Sequence, residues 1–553
     1  MGFTSRTDNL FFARIMTSVA CFTIKTAGVL LAVGRSAYHR RLGLPALLVG
    51  FFVLGGSIFA DYGISFDEHL QRRLGSYALD WVLGGDPHYL SYNDRFYGPV
   101  LEMALVGVER LLGIGADVRA VYWTRHLATF LLFAVAATAF VAATTRRFGG
   151  QVWGALALVL LVACPRIFAD AFYNSKDLGF LSFFLIGMSS LLWLTERPTF
   201  LRVAVHALAT ALAIDTRVAG IALVPLTLAL LVMEGVRTRC SWWMTVLRTG
   251  TLLALTGGFV VLCWPLLWHD PLGNFGQALR QMAHYPWNGP VLYNGSLTPA
   301  RNLPWHYLPV WIAISTPVAY VALGALGLGI AASRLGRRAG WSGARVVVNL
   351  VAVVWFWGIL AALILLGSVF YDGWRQVYFI YPGLVWCVLL AVEALWARLR
   401  DPAAPRWLRL SGALLLGLLA LNVLSTAHFM VRWHPHQNVY FNLTLGGDRA
   451  KIRERFEVDY WGLSYGKLLE AIVAEDSSLD IPIFAATFPG RTNANLLPVE
   501  DRLRLRYVNR PELARYFITT YRQHPKEYPY RDEAHAVWVD GIKIAAAFRL
   551  PGR

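Results

Sequence analysis

Apolar runs of about 17–25 residues, each the length needed to cross a bilayer core, recur along the first ~430 residues of this chain. Lipid offers backbone amides no partners, so a chain patterned this way pairs them within each run and folds as packed transmembrane helices. We read about eleven spans, near 44–60, 124–145, 152–164, 178–195, 201–215, 218–234, 246–267, 307–331, 347–369, 377–397 and 408–430. The expected fold class is mainly α: a polytopic transmembrane helical protein with a small C-terminal α/β domain. Only 15% of the 553 residues are charged, against about 25% in a soluble domain.

The formal net charge of +17 invites a nucleic-acid partner. The Arg residues, however, gather between spans, in 35–41, 146–147, 197–202, 237–248, 334–345 and 398–409. The positive-inside rule accounts for them, makes those connections cytoplasmic and leaves no need for nucleic acid. The alternate connections, 61–123, 165–177, 215–217, 268–306 and 370–376, and everything after 430, are richer in Trp, Tyr, Asp, His and Asn. They are expected to face the periplasm, cell exterior or an organelle lumen, and the compact loops and use of Arg for Lys suggest a bacterial inner membrane.

Three parts follow. Residues 1–43 form a cytoplasmic or interfacial segment, because the apolar stretch 9–33 is interrupted by Arg14 and Lys25. Residues 44–430 form the membrane domain, and 431–553 a soluble non-cytoplasmic domain. The latter carries strand-like runs at Ile481–Ala485 and Ala536–Val539 and a helical stretch from Ser464 to Ala474. The five cysteines make no C-x-x-C pair and read as small buried hydrophobes.

The non-cytoplasmic side holds the chemistry. Asp67 and Glu68 sit a few residues beyond the first span, and adjacent carboxylates beside lipid mark a functional site. A general base needs a carboxylate near the reacting hydroxyl with water partly excluded. The competing reading is a helix N-terminus, with Ser65 or Asp67 capping a helix through Leu70–Leu79 and Glu68 in its first turn. In 165–177, Arg166, Asp170, Lys176 and Asp177 fall between two spans. Lys176 is the only lysine between Lys25 and Lys451, and on this side it reads as a phosphate contact or a snorkelling interface residue. Arg375 re-enters the membrane from the same side, as a phosphate ligand or as the partner of Asp372. His269, Asp270, His284 and His306 include metal-ligand types, but their spacing fits no compact metal motif. No Walker loop, dinucleotide fingerprint or nucleophile elbow is present.

With these residues in hand, the chain resembles the GT-C superfamily of integral-membrane glycosyltransferases, in the branch joining protein O-mannosyltransferases and lipid A aminoarabinose transferases. Phe66-Asp67-Glu68-His69 is similar to the Asp-Glu motif of the mannosyltransferases, and Tyr97-Gly98-Pro99-Val100 to the Pro-containing segment after it. Asn174-Ser175-Lys176-Asp177 and Asp372-Gly373-Trp374-Arg375 fall where that family keeps polar residues. Three further segments, 302–309, 434–442 and 458–465, look like those of uncharacterised bacterial members.

The resemblance implies a GT-C fold and inverting transfer of one sugar, hexosyl or pentosyl, from a polyprenyl-phosphate donor to a glycan, lipid or protein acceptor. It implies no required cofactor or metal. Asp67 would be the general base, Glu68 an acceptor-positioning group, and Asp177 a holder of a sugar hydroxyl or an aid to the base. Lys176, Arg375 and Arg166 would bind the donor phosphate, while Asp372, Tyr97 and His269 would contact acceptor or sugar. Two alternatives stay open: a flippase or transporter for lipid-linked glycans, which would show internal repeats and broken helices, and a ligase using a lipid-pyrophosphate glycan.

Overall fold

The computed structural model describes residues 37–239, 241–283, 287–337 and 345–551. The segment 9–33, Cys21, Cys240 and His284 lie outside the described residues. Nine described helices are long and apolar enough to cross a membrane: Gly43–Asp61, Val118–Phe148, Ser175–Glu196, Val218–Arg237, Trp242–Cys263, Val318–Leu335, Arg345–Leu365, Arg375–Arg400 and Arg406–Arg432. The pair Gln151–Val162 and Pro165–Tyr173 makes a tenth if it counts as one span, and the seventeen-residue helix Phe200–Thr216 packs on Ser175–Glu196 and Trp242–Cys263. The chain is thus a multi-pass, mainly α-helical membrane protein.

Burial sorts the helices. Ser175–Glu196 and Arg375–Arg400 are each 89% buried across their apolar windows, so they form the centre. Gly43–Asp61, Trp242–Cys263 and Arg406–Arg432 are 17% buried, and their exposed Val, Leu and Trp side chains suit contact with lipid. Val118–Phe148 has 31 residues and so runs about 46 Å, beyond a hydrocarbon core of about 30 Å. Its side-chain cap Asp117 and C-terminal Gly149 (φ +80°) mark both ends. The first turns carry Arg125 and His126 toward the carboxylates of the first loop.

Two expectations need correction. Residues 165–177 do not form a surface loop. Pro165 starts a helix to Tyr173 and the chain bends by 75° between Val162 and Pro165. Asn174 is the single non-helical residue before Ser175–Glu196, whose first turn it caps by accepting from Asp177 N at 3.0 Å. All of 165–177 except Lys176 is buried, because these polar groups pair with one another and with distant residues. The span expected at 307–331 is likewise broken, into Tyr307–Ser315 and Val318–Leu335, at a Pro317 that has no amide to donate.

The remaining segments expected on the non-cytoplasmic side are structured. The first loop folds into helices Glu68–Gly84, His88–Ser91 and Val100–Leu111. The middle loop holds helix Pro271–Ala283 and the hairpin of β1 (Pro290–Tyr293) and β2 (Ser296–Pro299). After the last span, residues such as Val439, Phe441, Phe456, Tyr460 and Trp461 pack into the same hydrophobic cluster as the membrane helices. Helix Tyr465–Glu475 then opens an α/β unit. Its five strands are β3 (Ile481–Ala485), β4 (Leu505–Tyr507), β5 (Tyr516–Thr519), β6 (Glu533–Val539) and β7 (Ile542–Arg549), in the order β4-β3-β5-β7-β6. The β3 pairings are parallel; β7 is antiparallel to both its neighbours.

This C-terminal part reaches back to the first loop. Asn493 is fully buried; it accepts from Ile64 N at 3.0 Å and donates to Ile64 O at 2.9 Å. Phe66 N donates to Trp461 O at 3.1 Å. Gly63 is required here, since a Cβ would lie 2.6 Å from Asn493 Oδ1 and 2.8 Å from Leu463 O. The stretch leading into Asp67 is therefore clamped by residues some 400 positions later in the chain.

Candidate active site

Helix Glu68–Gly84 starts directly after Asp67, whose backbone carbonyl accepts from Leu70 and Gln71. Its side chain makes no cap hydrogen bond. Glu68 is held on both oxygens: Oε2 accepts from Ser65 N at 2.7 Å, while Oε1 lies 2.9 Å from His126 Nε2. Ser65 Oγ donates to Tyr173 O at 3.0 Å. Glu68 is buried with both oxygens engaged. Asp67 has no such contacts and keeps 23% of its side chain exposed.

The centre of the cluster is Arg375, whose side chain is 3% exposed. Its Nη1 donates to Asp177 Oδ2 at 2.7 Å and lies 3.4 Å from Asp67 Oδ2; its Nη2 lies 3.4 Å from Asp372 Oδ2. The guanidinium sits over the Trp461 ring, 4.6 Å from its centroid. Asp177 also pairs with Arg217 and accepts from Asn174 Nδ2 at 3.0 Å. Asp372 takes Arg522 Nη2 at 3.1 Å, and Arg522 donates to Tyr460 O and lies over the Phe66 ring. Asp372 has φ +54° in a tight turn with Gly373, which aims its carboxylate between the two guanidinium groups.

Three arginines thus face three aspartates, and the carboxylates differ in access. Side-chain exposure is 23% for Asp67, 8% for Asp372 and 0% for Asp177. Asp67 is the one that a solute can reach. Both oxygens of Asp177 are held by cations, so it fixes Arg375 and Arg217. The donors are incompletely matched: Arg375 Nε, Arg217 Nε and Arg166 Nη2 are buried without an acceptor among the described residues. Arg166 donates from Nε to Tyr440 O at 2.9 Å and packs on the Phe441 and Trp311 rings. Asp170 accepts from Tyr173 and Asn174 alongside.

Other expected residues lie further out. Lys176 Nζ stands 3.6 Å from the centroid of the Tyr97 ring. Gly98 beside it packs on Asp215, where a Cβ would meet the carbonyl oxygen at 1.6 Å. His269 is exposed against Trp81, about four turns down the helix from Asp67, roughly 20 Å at 1.5 Å per residue. The structure does not bring it to the cluster. His306 Nδ1 is 2.7 Å from the Tyr293 hydroxyl. Among the described residues no three His, Cys, Asp or Glu side chains converge as metal ligands. Cys164, Cys263 and Cys387 are free thiols.

Below the cluster, Arg125 pairs with Glu102 and Glu109, Ser175 Oγ donates to Glu102 at 2.6 Å, and Arg72 meets Glu109 at 2.8 Å. On the C-terminal side lies buried Glu457, which accepts from Gln523 N at 3.1 Å. Burial raises its pKa to about 7, against the lowering effect of Arg522. In the unfolded chain it titrates near ~4.3. Between those values the folded protein holds a proton the unfolded chain has lost, so this group makes stability fall as pH rises from about 4.5 to about 7. Glu457→Gln should flatten that slope, worth of order 3 kcal/mol, in denaturation curves taken across the window. An unchanged slope would show that Glu457 is ionised throughout.

Sequence reasoning overlooked Arg217, Arg522, Asn493 and His126. Arg217 carried a usable signal, as a cation on the side that the positive-inside bias leaves poor in Arg. Arg522 carried none, because its partner is 150 residues away.

No family model matches the chain, and no curated protein does. Among solved structures, the crystal structure of ArnT from Cupriavidus metallidurans bound to undecaprenyl phosphate is similar. It matches over 93% of this chain and 98% of that chain, at 14% sequence identity and a TM-score of 0.48.

Proposed function

We propose that this chain transfers one sugar from a polyprenyl-phosphate donor to an acceptor hydroxyl, on the face of the membrane opposite the Arg-rich loops. The observation that carries this reading is Asp67: a carboxylate free of capping duty, partly open, and held 3.4 Å from a buried guanidinium. Asp67 takes the acceptor proton as the acceptor oxygen attacks the anomeric carbon. The bond from that carbon to the phosphate oxygen breaks, and the electron pair leaves with the polyprenyl phosphate. Attack from the face opposite the leaving group inverts the anomeric centre through an oxocarbenium-like state. The unmatched N–H groups of Arg375, Arg217 and Arg166 are suited to the charge developing on the phosphate, with Lys176 on the same side of the membrane. The acceptor is a glycan, lipid or protein hydroxyl, the sugar a hexose or pentose, and no metal is required.

The test offers purified protein a panel of polyprenyl-phosphate monosaccharides with a membrane-lipid and glycan extract, and follows transfer of labelled sugar. Turnover from at least one donor, with the opposite anomeric configuration in product, is expected. The bent pair Gln151–Val162 and Pro165–Tyr173 favours a second reading, since broken helices line the sites of transporters. Movement of the lipid-linked sugar between leaflets of a vesicle, with no transfer from any donor, would replace the first reading with a flippase.

A further inference from the structure

A second polar site lies away from Asp67. Between the end of the last span and the α/β unit is a groove of about 550 Å³, within the range of small-ligand sites. One wall is the stretch Arg432–His436, the others the face of helix Tyr465–Glu475 that carries Lys467 and the edge strand β6. The lining holds Arg432, Lys467 and three histidines, and no Asp or Glu. Three lining side chains are paired with carboxylates outside the lining: Asp61 holds His434 at 2.8 Å, Glu470 meets Lys467 at 2.9 Å and Glu475 meets His535 at 2.9 Å.

His436 is 7% exposed and lines the groove with neither ring nitrogen hydrogen-bonded among the described residues. Burial, with Lys467 and His434 nearby, pushes its pKa down to about 3, so the ring is neutral. A neutral imidazole carries one N–H donor, and a buried donor without an acceptor is destabilising. A donor in a groove that also carries Arg432 and Lys467 suits an anionic oxygen. The level of the groove identifies the source. Arg432 closes the span Arg406–Arg432, and Asp61, which holds His434, closes the span Gly43–Asp61. Both helices leave the hydrocarbon here, where lipid phosphates lie. Trp433 and the exposed Trp538 flank the groove, as amphipathic rings do at that depth.

We propose that this groove is a binding site for the phosphate headgroup of a membrane lipid, held by Arg432, Lys467 and the N–H of His436. It does not depend on the sugar-transfer reading.

Native mass spectrometry of the full chain in detergent tests it, with phosphatidic acid as probe and diacylglycerol as its phosphate-free counterpart. Phosphatidic acid should be retained and diacylglycerol not. Arg432→Gln with Lys467→Gln should weaken retention at least ~10-fold, the loss of two charge-assisted contacts, without moving the thermal midpoint, because both side chains are exposed. His436→Phe, which fills the ring's volume without its nitrogens, should weaken it several-fold. Arg406→Gln with Arg409→Gln, at the other end of the same helix, should change nothing. Equal retention by the groove variants, equal retention of diacylglycerol, or the same loss from the control pair would overturn the proposal. Displacement by inorganic phosphate at concentrations matching the lipid would reassign the site to free phosphate and overturn the lipid assignment.

Discussion

Asp67→Asn is expected to lower sugar transfer by about 10²–10⁴-fold, the usual contribution of a positioned general base, while leaving the protein folded. The structure separates these two effects. Asp67 holds no cap hydrogen bond, and its charge partner sits at 3.4 Å with the carboxylate partly solvated. Arg375 keeps Asp177 at 2.7 Å and Asp372 at 3.4 Å after the change, so no buried charge is left unpaired and unfolding by heat or denaturant should barely shift. Asparagine keeps the shape and one acceptor oxygen, and loses the negative charge together with the capacity to take a proton. Measured with whichever donor the wild type uses, near-normal turnover of folded Asp67→Asn would remove Asp67 as the base. The neighbouring Glu68 offers no replacement, since Ser65 N and His126 already hold its oxygens.

The membrane helices were legible in the chain because length and apolarity are local properties: each of the eleven expected spans overlaps a helix. So were the strand at Ile481–Ala485 and the Ala536–Val539 part of the strand Glu533–Val539, whose alternation shows. The break at 162–174 was not. A run containing Arg166, Asp170, Asn174, Lys176 and Asp177 reads as a connection when each polar group is assumed to need water. In the fold they satisfy one another, Asn174 bridging Asp170 and Asp177 at 3.0 Å to each. The same limit applies to the site. Asp67, Asp177, Asp372 and Arg375 were found because each stands out beside an apolar run. Which of them is buried, and which can be reached, depends on Arg217, Arg522, Asn493 and Trp461, whose positions only the tertiary fold brings together. The two readings of Glu68 and Asp67, cap or catalysis, were likewise undecidable from spacing. The structure divides them: Glu68 is buried and holds Ser65 N, while the Asp67 side chain makes no cap hydrogen bond and stays partly exposed.

Arg375→Met is expected to cost about 3–5 kcal/mol of stability, the effect of breaking a buried ion pair from one side, in addition to abolishing transfer. The guanidinium faces Asp177 at 2.7 Å and both Asp67 and Asp372 at 3.4 Å. Methionine fits the volume but leaves Asp177, which is wholly buried, with Arg217 as its one cation. The sequence left Arg375 as either a phosphate ligand or a partner for Asp372, and stability distinguishes the two. A residue present only to bind phosphate can be removed with little change in unfolding, because the unliganded protein gains nothing from it. A residue that neutralises three aspartates cannot. The double variant Arg375→Met with Asp177→Asn sharpens the comparison. Removing the stranded charge should recover part of the loss, with a coupling energy within about 0.5–3 kcal/mol, and should restore no transfer. Additive losses, or Arg375→Met unfolding at the wild-type denaturant midpoint, would show that the arginine does not hold the cluster together. With recovery of stability and none of activity, Arg375 serves both purposes: it sets the aspartates in place, and its unmatched Nε remains for the phosphate.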